Sequence, residues 1–105
     1  MNSPANAPSG RRQALLELTN RLEVLLRQEP DPQAWMKYLG ERLREAGIAP
    51  DLREDHPMAF CLDLNANLEA LYPGAYHYPL QPLGEYQSAE ELVLDILPSR
   101  DDHDF

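Results

Sequence analysis

Two stretches in the first half of the chain show the hydrophobic period of amphipathic helices. In the first stretch, leucines recur at helical spacing along one stripe, at Leu15, Leu18, Leu22, Leu25 and Leu26. This pattern predicts a helix that ends near Gln28. Pro30 stops it, Asp31 is a suitable N-cap, and Pro32 suits the first position of a second helix that ends near Ala46. Because the link is short, we expect two antiparallel neighbours.

The second predicted helix has its own apolar stripe, formed by Trp35, Leu39, Leu43 and Ala46. On this pattern Trp35 is predicted to pack in the core. Gly47 followed by Ile48 is typical of a glycine that ends a helix. Gly40 lies inside the helix, where glycine costs about 1 kcal/mol relative to alanine. Its presence indicates that another helix passes close to this position.

Apolar and polar positions alternate in two segments of the second half. Residues 58–64 place Met58, Phe60, Leu62 and Leu64 on one side, which predicts a strand with one buried face. Residues 75–80 alternate in the same way, with Tyr76, Tyr78 and Leu80 together. Pro79 makes this second segment an edge strand or shortens it.

A capping box formed by Ser88 and Glu91 predicts a short helix near the C-terminus. The predicted fold class is therefore α+β. An N-terminal antiparallel helical hairpin packs on a small two- to three-stranded sheet, and a short C-terminal helix completes the domain. The single domain is expected to span residues 10–98, between a disordered tail at 1–9 and a mobile acidic tail at 99–105.

The net charge of −9 is unevenly distributed along the chain. Residues 1–50 carry seven basic and six acidic side chains, a net of +1, whereas residues 51–105 carry two basic and twelve acidic, a net of −10. Such a surface repels nucleic-acid phosphates and anionic membranes, and it attracts a basic protein. Solubility alone is the alternative explanation of this charge.

The acidic half also holds a tyrosine-rich segment. Tyrosines are enriched at binding hot spots because they bring a large contact area at a small cost in entropy. Together with nearby carboxylates they give a predicted partner-binding set of Tyr72, Tyr76, His77, Tyr78, Glu85, Tyr86, Glu90 and Glu91. The alternative is that these tyrosines cover the predicted sheet.

Catalytic chemistry has one candidate pair, Cys61 and His77. If the two predicted strands pair in the right register, the imidazole could lower the pKa of the thiol and create a nucleophile. The alternative is a small structural Cys61 and a surface His77. The sequence has no phosphate-binding loop, nucleophile elbow or metal-ligand spacing. We therefore predict no cofactor, no metal and no catalytic residue.

These observations favour a small cytosolic protein-binding module, such as an inhibitor, an immunity-type protein or an enzyme accessory protein. The cytosol is expected because the N-terminus lacks signal-peptide order and a single cysteine forms no internal disulfide. Eight arginines against one lysine indicate a GC-rich bacterial genome. The alternatives are a subunit or small enzyme whose site around Cys61 and His77 forms in a homodimer, and an acidic mimic of nucleic acid.

Overall fold

The computed structural model describes residues 6–71 and 81–97 of the chain. Its elements are α1 (Asn6–Gln28), α2 (Pro32–Glu45), α3 (Pro57–Ala70), a 3-10 turn (Leu83–Glu85) and α4 (Ala89–Ile96). The predicted α+β class is wrong, because these described residues are helical and contain no strand. The predicted tail at 99–105 lies outside the described residues, as do residues 1–5 of the predicted tail at 1–9, whereas residues 6–9 belong to α1.

The segment 58–64, predicted as a strand, belongs to α3. The buried side chains of this helix are Phe60, Cys61, Leu64 and Leu68. Met58 and Leu62, which a strand would bury beside Phe60, are instead 48% and 54% exposed. Positions four apart share a face in a strand and in a helix alike, so a seven-residue alternation satisfied both periods. Positions two apart distinguish the two structures, because they share a face in a strand and lie on different faces in a helix.

The start of α3 explains why a helix forms here. The His56 Nδ1 atom accepts a hydrogen bond from the Met58 backbone N–H at 3.1 Å, so His56 is the N-cap. Pro57 follows at the first helical position, where its missing N–H costs nothing. The helix then continues to Ala70 without a break. The second predicted strand, residues 75–80, lies outside the described residues.

Both predicted ends of α2 are confirmed. Asp31 caps the helix by accepting a hydrogen bond from the Ala34 N–H at 3.3 Å. At the other end Gly47 has a φ of +75°, the left-handed conformation that glycine adopts without strain. The Ile48 N–H then reaches back to the Leu43 carbonyl at 3.0 Å, which completes a Schellman motif.

Gly40 does face a close approach, but a side chain makes it rather than a second helix. A Cβ atom at Gly40 would lie 2.5 Å from Oε2 of Glu54. That carboxylate accepts a hydrogen bond from Arg44 at 2.5 Å and so forms an ion pair across the helix surface. The glycine therefore makes room for the connection between α2 and α3.

The core lies where α1 meets the other three helices. Helix α1 packs most extensively against α3, while α4 packs against both α1 and α2. Arg21 on α1 donates hydrogen bonds to the backbone carbonyls of Tyr86, at 2.7 Å, and Gly84, at 3.4 Å. This contact fixes the segment before α4 on the surface of α1 and so positions α4 over the core.

Candidate functional site

Helix α4 begins with a capping arrangement that orients its first carboxylates. Ser88 is the N-cap, and its hydroxyl oxygen accepts a hydrogen bond from the Glu91 N–H at 3.1 Å. The Glu91 carboxylate accepts from the Gln87 N–H at 2.9 Å and from Gln81 at 3.1 Å. These two hydrogen bonds, that of Gln87 first, lower the pKa of Glu91 below its usual value. Glu91 is therefore ionised at neutral pH.

The solvent side of α4 carries three carboxylates around one exposed leucine. We call this surface the acidic face of α4, formed by Glu90, Glu91, Leu94 and Asp95. Tyrosine hydroxyls donate to two of its carboxylates, that of Tyr38 to Glu90 at 3.3 Å and that of Tyr86 to Asp95. Because a tyrosine hydroxyl is neutral, the Tyr38 hydrogen bond orients the Glu90 carboxylate without neutralising it. Leu94 remains 42% exposed within this negative surface.

An aromatic groove separates the acidic face of α4 from α2. It has a volume of about 390 Å³ and is lined by Ala34, Trp35, Tyr38 and Glu90. The rings of Trp35 and Tyr38 meet edge to face, with centroids 5.6 Å apart and planes at 79°. Trp35 packs partly against the core, and Tyr38 is 37% exposed. The groove therefore joins two aromatic walls to a carboxylate.

A second groove lies on the opposite side of the acidic face of α4. It has a volume of about 440 Å³ and is lined by Gln81, Tyr86, Glu91, Leu94 and Asp95. The floor of this groove is Tyr86, whose side chain is fully buried beneath it and whose hydroxyl donates a hydrogen bond to Asp95. Its ring is therefore part of the core and offers no surface to a partner.

The structure brings together only part of the predicted partner-binding set. Glu90 and Glu91 lie side by side on α4, and Glu85 is exposed in the 3-10 turn before it. Tyr86 is buried, which corrects its expected place at the surface. The remaining members, Tyr72, Tyr76, His77 and Tyr78, lie outside the described residues.

The thiol of Cys61 is in an environment that opposes nucleophilic chemistry. Its side chain is 4% exposed and lies between α3 and α1. Burial, followed by the negative charge of Glu23, raises its pKa to about 12, against a weaker opposite effect of Arg27. A thiol with this pKa is almost entirely protonated at neutral pH. His77, its proposed base, is outside the described residues.

The described part of the chain has neither a cluster of metal-ligating side chains nor a helix that could cross a membrane. No three histidine, cysteine, aspartate or glutamate side chains are grouped there so that they could hold a metal ion. None of the helices at residues 6–71 and 81–97 combines the length and apolar character that crossing a membrane requires.

Trp35 and Tyr38 are the residues of this site that the sequence pattern did not select. Trp35 was assigned to the core stripe of α2, and Tyr38 was assigned no role. A signal was nevertheless present, because Trp35, Tyr38 and Arg42 follow each other at spacings of three and four. Such spacing places them on one stripe beside the core stripe. A stripe of two aromatic residues and an arginine indicates a contact surface.

Comparisons of the chain with protein-family models, with curated proteins and with solved structures found no match. The function is therefore inferred from the acidic face of α4 and its two flanking grooves.

Proposed function

We propose that this chain is a small protein-binding module that holds a basic segment of another protein against the acidic face of α4. It would act as an inhibitor, an immunity-type protein or an accessory protein of an enzyme, and it would work in the cytosol. The observation that carries the proposal is the grouping of Glu90, Glu91 and Asp95 around exposed Leu94 beside an aromatic groove.

Charge is the first support for this proposal. Three ion pairs join described residues, Arg27 with Glu23, Arg44 with Glu54 and Arg53 with Asp63. Their members lie on α1, α2, α3 and the connection after α2, and none lies on α4. Two carboxylates of the acidic face of α4, those of Glu90 and Glu91, instead accept hydrogen bonds from the neutral groups of Tyr38, Gln81 and Gln87. Their charge therefore remains available to attract a basic partner and to accelerate association.

The mixture of side chains is the second support. A surface that serves only solubility needs dispersed charge, whereas this one combines charge with an exposed leucine and two aromatic rings. Binding surfaces concentrate their energy in aromatic anchors enclosed by polar residues. Tyr38 and Trp35 are such anchors, and Glu90 lies between them and the rest of the acidic face of α4.

Affinity purification with matched variants tests the proposal. The bait would be the full chain, either unchanged, with Glu90→Gln and Glu91→Gln, or with the control changes Glu41→Gln and Glu45→Gln on exposed positions of α2. Both double variants remove two charges, but only the first removes them from the acidic face of α4. Bound proteins would be identified by mass spectrometry at low and high salt.

We expect one stoichiometric partner on the unchanged and control baits, with less of it at high salt because ions screen the attraction. The partner should be reduced on the Glu90 and Glu91 variant, and its association rate should fall more than its dissociation rate rises. Equal recovery of the same partner on both double variants would contradict the proposal.

A further inference from the structure

We propose that the aromatic groove is a site for one arginine side chain of the partner, an inference that rests on the proposed function. Trp35 and Tyr38 stand nearly perpendicular, so the groove has two aromatic walls. At its edge the Glu90 carboxylate is held 3.3 Å from the Tyr38 hydroxyl. An incoming cation would meet aromatic rings and a carboxylate at once.

Arginine fits this combination better than other side chains. Its planar guanidinium stacks on aromatic rings and donates parallel hydrogen bonds to a carboxylate, and it is weakly hydrated. Lysine offers a compact and strongly hydrated charge without the plane. The volume of about 390 Å³ is at the lower end of small ligand sites and leaves room for a whole arginine side chain.

The chain itself shows that this aromatic surface accepts a guanidinium. The Cζ atom of Arg42 lies 5.9 Å from the centroid of the Tyr38 ring. Its Nη1 atom also donates to the Tyr38 hydroxyl oxygen at 3.4 Å. Arg42 is one turn beyond Tyr38 on α2, whereas Trp35 is about one turn before it. A second guanidinium between Trp35 and Glu90 would meet the repulsion of this resident charge.

The positive charge of Arg42 provides a test that separates an arginine site from general attraction of cations to an acidic protein. Removing Arg42 takes away a like charge close to the incoming arginine and a competitor for the Tyr38 ring. Arg42→Gln should therefore tighten the binding of an arginine peptide. Removing Glu90 should weaken it more than removing Glu91, which lies on the other groove.

A peptide titration tests the site directly. The full chain, labelled with nitrogen-15, would be titrated with hexa-arginine, hexalysine and hexacitrulline of equal length. The chain has one tryptophan, so the indole N–H signal of Trp35 reports on the groove without assignment. Citrulline keeps the shape of arginine without its charge. Thermal unfolding of each variant would verify that the fold is retained.

We expect hexa-arginine to shift the Trp35 indole signal to saturation, hexalysine to bind several-fold more weakly, and hexacitrulline to have no effect. Loss of one exposed carboxylate from the site corresponds to about a fivefold weaker affinity for Glu90→Gln. Glu91→Gln should cause a smaller loss, and Arg42→Gln a gain.

Two results would overturn the arginine site. One is binding that shifts α4 amides but leaves the Trp35 indole signal unmoved. The other is an equal loss of affinity for Glu90→Gln and Glu91→Gln, with no gain from Arg42→Gln. Either would leave general electrostatic attraction, and with it the proposed function, intact. The proposed function fails separately, if the matched baits recover the same partner equally.

Discussion

Replacing Tyr86 with phenylalanine and with alanine would test its hydrogen bond to α4 and its place in the core. The ring is fully buried, and the hydroxyl donates to the half-buried carboxylate of Asp95. Phenylalanine keeps the ring and its packing and removes only the hydroxyl. The substitution therefore tests the hydrogen bond that joins the floor of the second groove to α4.

The expected cost follows from the exposure of the two partners. A hydrogen bond to a charged group contributes about 1.5–3 kcal/mol to stability. Water reaches the Asp95 carboxylate after the change and recovers part of this, so we expect a loss of about 1–2 kcal/mol. In a domain of this size each kcal/mol lowers the melting temperature by about 4–8 °C. Tyr86→Ala would also remove the ring and cost about 3–5 kcal/mol.

Urea unfolding, followed by far-ultraviolet circular dichroism and by Trp35 fluorescence, measures this loss. Tyr38→Phe is the matched control. Its hydroxyl also donates to a carboxylate, that of Glu90, but at the exposed surface, where a substitution changes stability by less than about 0.5 kcal/mol. A cycle of Tyr86→Phe with Asp95→Asn would give the coupling between the two groups. A stability unchanged by Tyr86→Phe, or a coupling near zero, would refute a stabilising contribution of the hydrogen bond. A loss of less than about 1 kcal/mol for Tyr86→Ala would refute the assignment of Tyr86 to the core.

Three further changes probe other parts of the molecule. Burial raises the pKa of Cys61 to about 12, so the folded chain holds its thiol proton more tightly than the unfolded chain does. The free energy of unfolding should therefore fall as the pH rises from about 9 towards about 12. Over the same pH range, the urea midpoint of Cys61→Ala should fall less than that of the unchanged chain. The hydrogen bond from Arg53 lowers the pKa of Asp63, so this pair stabilises the fold above the usual aspartate pKa and its contribution is lost as the pH falls through the lowered value. Asp63→Asn should therefore lower the melting temperature at pH 7, whereas an equal deficit at pH 2 would argue against an ionic contribution. Gly40→Ala gains about 1 kcal/mol of helix propensity but displaces the Glu54 carboxylate, so it should be nearly neutral alone and stabilising by about 1 kcal/mol in a Glu54→Ala background, as thermal unfolding would show.

The sequence predicts the helices that have a repeated apolar stripe or a recognisable cap. The stripe of α1 spans about three turns, Asp31 and Gly47 mark the ends of α2, and Ser88 marks the start of α4. Helix α3 lacked such a signal because apolar residues occur almost all round it. Exposed Met58 and Leu62 imitated the alternation of a strand. The cap that did identify it, His56 before Pro57, is an uncommon one.

The site was predicted in its charge but not in its aromatic part. Glu90 and Glu91 were selected because acidic residues concentrate in the second half of the chain, and α4 does present them together. Trp35 and Tyr38 come from the first half, and only the packing of α2 against α4 brings them to Glu90. Such a junction between distant segments depends on tertiary structure, which the local pattern does not contain.

Helix α4 both completes the core and presents the acidic face of α4 to solvent. Its eight residues are too few for a helix to persist alone in water, so it stays wound only while Leu92, Val93 and Ile96 are inserted among the other helices. The carboxylates on its outer side therefore lie together only when the chain is folded. A chain cut short before residue 88, or still leaving the ribosome, would display no such array. A partner that binds the acidic face of α4 would therefore bind folded chains and not chains that lack α4.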